Sequence, residues 1–145
     1  MDAKHFFSDE EKERIIEAIR AAELETSGEI RVHLSSDSCR SGVMNSAAHW
    51  FEKLKMHKTE LRNGILFFLS IKDRQFAIIG DAGINSCVPE DFWEDIKNKM
   101  SARFKDGHFA EGLDEGIRIA GNRLKAHFPR QTEDVNELPD DLSFS

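Results

Sequence analysis

The first apolar pattern begins behind a polar cluster. Ser8-Asp9-Glu10-Glu11 is a capping box, in which Ser8 accepts from the Glu11 amide and Glu11 reaches back to the amide of Ser8. Ile15, Ala18, Ile19 and Ala22 follow at i, i+3, i+4 and i+7, one stripe of a helix that Thr26-Ser27-Gly28 stops. From Glu29 the period becomes two. Ile30, Val32 and Leu34 share one face and Arg31, His33 and Ser35 the other, which predicts a strand with one face on the core. After a small, polar loop over 36–42, Ala47, Ala48, Phe51, Leu54 and Lys55 restore helical spacing over 44–56. Residues 65–71 are apolar on both faces, as a central strand covered on both sides would be, and Lys72-Asp73-Arg74 turns the chain into a further strand over 75–79. So short a turn makes these two strands antiparallel. The helix between the first two strands makes that pair parallel, through a right-handed crossover.

Pro89 suits the first turn of a third helix, with Phe92, Trp93, Ile96 and Met100 as its buried stripe. A turn at Asp106-Gly107 precedes a last helix over 110–127, with Leu113, Ile117, Ala120 and Leu124 in register. Gly112, Gly116 and Gly121 each lower that helix's intrinsic stability by about 1 kcal/mol relative to Ala, and close helix approach explains them best. The order α-β-α-β-β-α-α belongs to the α/β class: a three-layer α/β/α sandwich around a small mixed sheet. Residues 1–128 form this domain, and 129–145 are expected to be an acidic tail outside it.

Composition narrows the function classes. The 145 residues carry a net charge of −7, which disfavours a nucleic-acid binder, since such proteins need Lys and Arg to displace counterions from phosphates. The charge is uneven: residues 129–145 hold five acids against Arg130 alone, a net −4, so the domain itself is only mildly acidic. Two Cys do not make a disulfide scaffold, and Cys39 and Cys87 are expected at opposite sheet ends, reduced. The longest mainly apolar stretch, 64–71, is far shorter than the roughly 20 residues that span a bilayer. The opening residues lack a signal-peptide pattern, so a cytoplasmic location without membrane insertion is the expectation.

Familiar catalytic signatures are absent: no Gly-rich phosphate loop with a following Lys, no two-His zinc helix, no Cys-and-Arg phosphate cradle. One segment carries a specific signal. The strand over 75–79 runs into Gly80-Asp81-Ala82-Gly83, whose glycines permit a sharp turn that presents the Asp81 carboxylate. The topology brings Asp81 beside Glu29 and Asn63, with Thr26 behind them, a set of oxygens suited to Ca²⁺ or Mg²⁺. Against this stands a plainer reading, in which Asp81 caps a turn and Glu29 pairs with Arg62 or Arg31. A weaker second acidic cluster is expected at the other sheet end, from Asp37, Asp106 and Glu111, with Ser35 and Ser36 beside Asp37.

Four blocks then occur in order: Thr26-Ser27-Gly28-Glu29-Ile30-Arg31-Val32; Asn63-Gly64-Ile65-Leu66; Gly80-Asp81-x-Gly83-Ile84; and Phe104-x-x-Gly107-x-Phe109-x-x-Gly112-Leu113-x-x-x-Ile117. Together they resemble the TPM domain family, which includes thylakoid lumen and bacterial envelope proteins. Asn136-Glu137-Leu138-Pro139-Asp140-Asp141 also resembles the tail of its short bacterial members. The resemblance implies an α/β/α domain with acidic loops able to bind divalent cations. It also implies links to acid phosphatase activity, through a plant member, and to assembly or maintenance of membrane complexes. Many members carry a signal peptide and a membrane anchor, and the expectation here is a version without either. Three functions follow, in order: a Ca²⁺ or Mg²⁺ binding module with a protein-interaction role, an adaptor whose acidic tail docks on a basic partner, and a metal-assisted phosphatase using Asp81, with Arg62 and Arg31 as the available clamps.

Overall fold

The computed structural model describes residues 2–130 and 142–145. After a short 3-10 turn at Ala3–His5 come α1 (Asp9–Glu23), β1 (Glu29–Ser35), α2 (Val43–Lys53), β2 (Gly64–Ser70), β3 (Gln75–Gly80), α3 (Ala82–Asn85), α4 (Glu94–Lys105), α5 (Phe109–Leu124) and β4 (Leu142–Phe144). The sheet order is β3-β2-β1-β4. β1 and β2 are parallel, β2 and β3 antiparallel, and β4 runs parallel to β1 on its far side.

The capping box at Ser8 and Glu11 forms with both hydrogen bonds in place, satisfying amides that the first turn of α1 leaves open. Alternation along the strands then sorts side chains between two cores. Ile30, Val32 and Leu34 of β1, with Ile65, Phe67 and Leu69 of β2, face α1, α4 and α5. Leu66 and Phe68 of β2 and Ala77 of β3 face Ala47 and Phe51 of α2, and Met56. Phe67 and Phe68 are both about 1 % exposed on opposite faces, and burying each side chain contributes about 2 kcal/mol.

Four differences from the sequence reading stand out. β1 is buried at all seven positions, so its Arg31-His33-Ser35 face is covered rather than open to solvent. The turn after β3 contains a short helix, α3. The helix expected from Pro89 begins at Glu94; Phe92 and Trp93 precede it, half-buried against the main core. Residues 142–144, expected in a tail outside the fold, form β4 on the edge of the sheet; residues 131–141, which hold the tail's acidic residues, lie outside the described residues.

Candidate functional site

The two ends of the sheet carry different chemistry. At one end the register pairs Glu29 with Gly64 and Ile65 with Gly80, so Glu29, Asn63 and Asp81 stand at the same end of the sheet. The Glu29 amide donates to the Asn63 carbonyl (3.2 Å) and the Asp81 amide to the Gly64 carbonyl (2.9 Å). Asp81 is the N-cap of α3: its Oδ1 accepts from the Ala82 amide at 2.8 Å. The rest of its carboxylate is held by Arg62, whose Nε and Nη2 donate to Oδ2 and Oδ1 at 2.7 and 2.8 Å. The first half of the plainer reading therefore holds, with Asp81 as the cap, and Arg62 pairs with Asp81.

Burial leaves Asp81 6 % exposed, and this pushes its pKa up. The Arg62 hydrogen bonds, the Ala82 amide and the charges of Arg62 and His57 outweigh that and hold it below the ordinary carboxylate range. Asp81 is thus ionised at neutral pH. Arg62 adopts a left-handed backbone conformation (φ 52°) and keeps its side chain half in solvent, at 51 % exposure. Asn63 is buried; its amide donates to Thr59 Oγ1 (3.2 Å) and its side-chain amide to Ser27 Oγ (3.4 Å). Thr26 turns away, its hydroxyl donating to the Phe128 carbonyl where residue 26 bridges Pro129.

The other end holds the carboxyl termini of β1 and β2. A cleft of about 460 Å³ lies between the loop after β1 and the outer face of α2, lined by Asp37, Ser38 and Cys39 on one wall and His49, Trp50 and Lys53 on the other. Asp37 lines it without the other two residues of the expected second acidic cluster. The other two members of that cluster sit at the α4–α5 turn: Asp106 caps α4, and Glu111 pairs with Arg103 (3.7 Å) and His108 (3.5 Å). Asp73, read from the sequence as part of a plain turn, organises the loop instead, accepting from the Cys39 amide at 2.7 Å and from Ser38 Oγ. Among the described residues no three His, Cys, Asp or Glu side chains are grouped to hold a metal ion, and both Cys are free thiols.

Sequence reasoning missed His33. It is 1 % exposed on β1, and its ring stacks on Trp50 at 4.2 Å, while Nδ1 and Nε2 contact the hydroxyls of Ser143 and Ser145 at 2.7 and 2.9 Å. Burial, with the nearby charges of Arg31 and Lys53, lowers its pKa to about 4, so the ring is neutral in ordinary buffers.

A three-layer α/β/α domain on a four-stranded mixed sheet, with a glycine-flanked Asp at one sheet end, defines the class of molecule. Residues 1–123 match the family described as the TPM domain, and the chain belongs to that family. Among solved structures it is similar to the BA42 protein of the psychrophilic bacterium Bizionia argentinensis, at 43 % identity over 97 % of each chain with a TM-score of 0.89. The fold is shared with the N-terminal domain of a P. gingivalis protein, at 22 % identity over 91 % of this chain and 86 % of that one (TM-score 0.64). It is also shared with the N-terminal domain of cg2496 from Corynebacterium glutamicum, at 12 % identity over 97 % and 82 % (TM-score 0.67). No protein of curated function matches the chain significantly. No helix among the described residues is long and apolar enough to cross a membrane.

Proposed function

We propose that this TPM domain binds a divalent cation, Ca²⁺ or Mg²⁺, at the sheet end around Asp81, and serves as a cation-responsive module for contact with other proteins. The observation that carries this reading is an ionised, nearly buried Asp81 carboxylate facing a half-exposed Arg62 at the sheet end that also holds Glu29 and Asn63. The oxygens there are the hard donors such cations prefer. Gly83 lets the Leu61 and Arg62 carbonyls approach the same turn: a Cβ at residue 83 would lie 2.1 and 2.6 Å from them. In this reading the Arg62 guanidinium is the resident cation, and a metal ion displaces it.

The competition gives the test. Titration of Ca²⁺ and of Mg²⁺ into isotope-labelled protein is expected to shift the amide signals of 80–85 saturably, and Asp81→Asn to abolish the shift. Arg62→Asn removes the competing charge while tolerating positive φ, and is expected to tighten binding about fivefold, roughly 1 kcal/mol. An unchanged spectrum at millimolar metal, or equal shifts in Asp81→Asn, overturns the reading. The alternative is metal-assisted hydrolysis of phosphate esters, in which Arg62, displaced from Asp81 by the metal, would clamp the phosphoryl group; hydrolysis of a generic phosphate ester by wild type that is lost in Asp81→Asn is the result that favours it.

A further inference from the structure

The far edge of the sheet has its own recognition chemistry, independent of the cation reading. β4 is a three-residue strand paired in parallel with β1, matching Val32 to Leu142, His33 to Ser143 and Leu34 to Phe144. The Ser145 amide donates to the Leu34 carbonyl and the Ser36 amide to the Ser145 carbonyl, both at 2.9 Å. Leu142 and Phe144 pack on the larger core, and Lys12 of α1 lies over the Phe144 ring with Nζ 5.2 Å from its centre. Ser143 and Ser145 give both their hydroxyls to the ring of His33.

That ring makes the edge selective. A neutral imidazole has one N–H and one acceptor nitrogen, and a hydroxyl serves either, so two serines at alternate positions satisfy His33 in both tautomers. Apolar residues at those positions would leave buried ring nitrogens without partners, since Trp50 and Phe68 stack against the ring. Backbone ladder bonds give affinity and alternate side chains give specificity, the physics of strand addition to a sheet edge. The seated segment is also short and only half-buried throughout, so attachment to the same chain, at an effective concentration of about millimolar, contributes much of its occupancy.

We propose that the β1 edge is a peptide-docking site that reads apolar–Ser–apolar–Ser in an extended segment parallel to β1, that Leu142-Ser143-Phe144-Ser145 is its occupant in cis, and that a segment of this pattern in a partner protein displaces it. His33 is the specificity-determining residue and Lys12 favours an aromatic at the third position. The cis segment keeps the edge covered, which also protects the molecule from indiscriminate strand pairing.

The test uses the full chain and a labelled peptide of the sequence of 140–145, Asp-Asp-Leu-Ser-Phe-Ser, followed by fluorescence anisotropy and by amide shifts at 32–36. The double variant Ser143→Val/Ser145→Pro loses both hydroxyls and the Ser145 amide, and is expected to take up the peptide at least about tenfold more tightly than wild type, where the cis segment competes. A peptide with Ala in place of both Ser is expected to bind about tenfold more weakly, and this preference to vanish in the double variant carrying His33→Phe. Phe144→Ala loosens the cis segment without touching the His33 contacts, and is expected to bind between wild type and the double variant; it decides the matter if the double variant does not fold. No binding to either release variant, equal affinity for the Ala peptide, or a doubling of mass by strand exchange with a second copy overturns the proposal.

Discussion

Gly83 shows how one residue sets the geometry of a whole turn. Its amide donates to the Arg62 carbonyl at 2.9 Å, and a Cβ there would lie 2.1 Å from the Leu61 carbonyl oxygen and 2.6 Å from that of Arg62. Both obstructions are backbone, which cannot swing aside as a side chain can. Gly83→Ala is therefore expected to cost about 1–3 kcal/mol through overpacking and to loosen the Arg62–Asp81 pair. Chemical denaturation measures the first effect, and loss of the downfield guanidinium signal of Arg62 the second; unchanged stability would mean that the 54–63 loop retreats freely. This turn was legible as a Gly-Asp-x-Gly signal, and the placing of Asp81, Glu29 and Asn63 at one sheet end followed from strand direction alone. The partner of Arg62 was not, because Glu29 and Asp81 flank Gly64 on either side and only backbone placement decides which carboxylate it reaches. His33 was hidden for a different reason: period-two alternation assigns it to a polar face, and the hydroxyls that satisfy it stand 110 and 112 residues away in the chain.

Between elements, α5 meets two different neighbours through its three glycines. A Cβ at Gly121 would come within 2.6 Å of Ala22 Cβ and 2.7 Å of its Cα, so α1 and α5 touch backbone to backbone. At Gly116 the obstruction is the Met100 thioether, with Sδ at 2.5 Å, and at Gly112 the Phe104 ring. Methionine is adaptable, and Ala favours a helix by about 1 kcal/mol over Gly. Gly116→Ala is expected to be nearly neutral, and Gly121→Ala to destabilise by about 1–3 kcal/mol. Urea midpoints at unchanged m-value distinguish the two, and equal midpoints would show that α1 shifts as easily as Met100 repacks. Close approach was legible in the glycine spacing itself. The short α3 and the three-residue β4 were not, since four or three residues are too few to display a period. β4 is also fixed by its partner on β1 and carries little pattern of its own.

For the molecule as a whole, the buried imidazole on β1 and the ion-paired carboxylates titrate in different ranges, and stability therefore falls with acid in two stages. Unfolded, His33 takes up its proton near pH 6.5; folded, only near pH 4. Between those values the unfolded state binds more protons, so stability declines as pH falls from 6.5 to about 4, by about 3 kcal/mol in all, and the His33 contribution then levels off. The carboxylates act later. Arg123 hydrogen bonds hold Asp95 below its ordinary value of 3.8; at Asp81 burial is outweighed by Arg62. Their contribution is complete above that value and is lost as pH falls through the lower folded values. His33→Gln keeps an amide donor and acceptor opposite Ser143 and Ser145 but cannot titrate, so denaturation of both proteins from pH 7.5 to 3 separates the stages. Wild type is expected to lose stability across 6.5 to 4 while His33→Gln stays nearly level, and both to fall below 4. Parallel curves throughout would place the acid sensitivity elsewhere and show that water reaches the imidazole despite its cover.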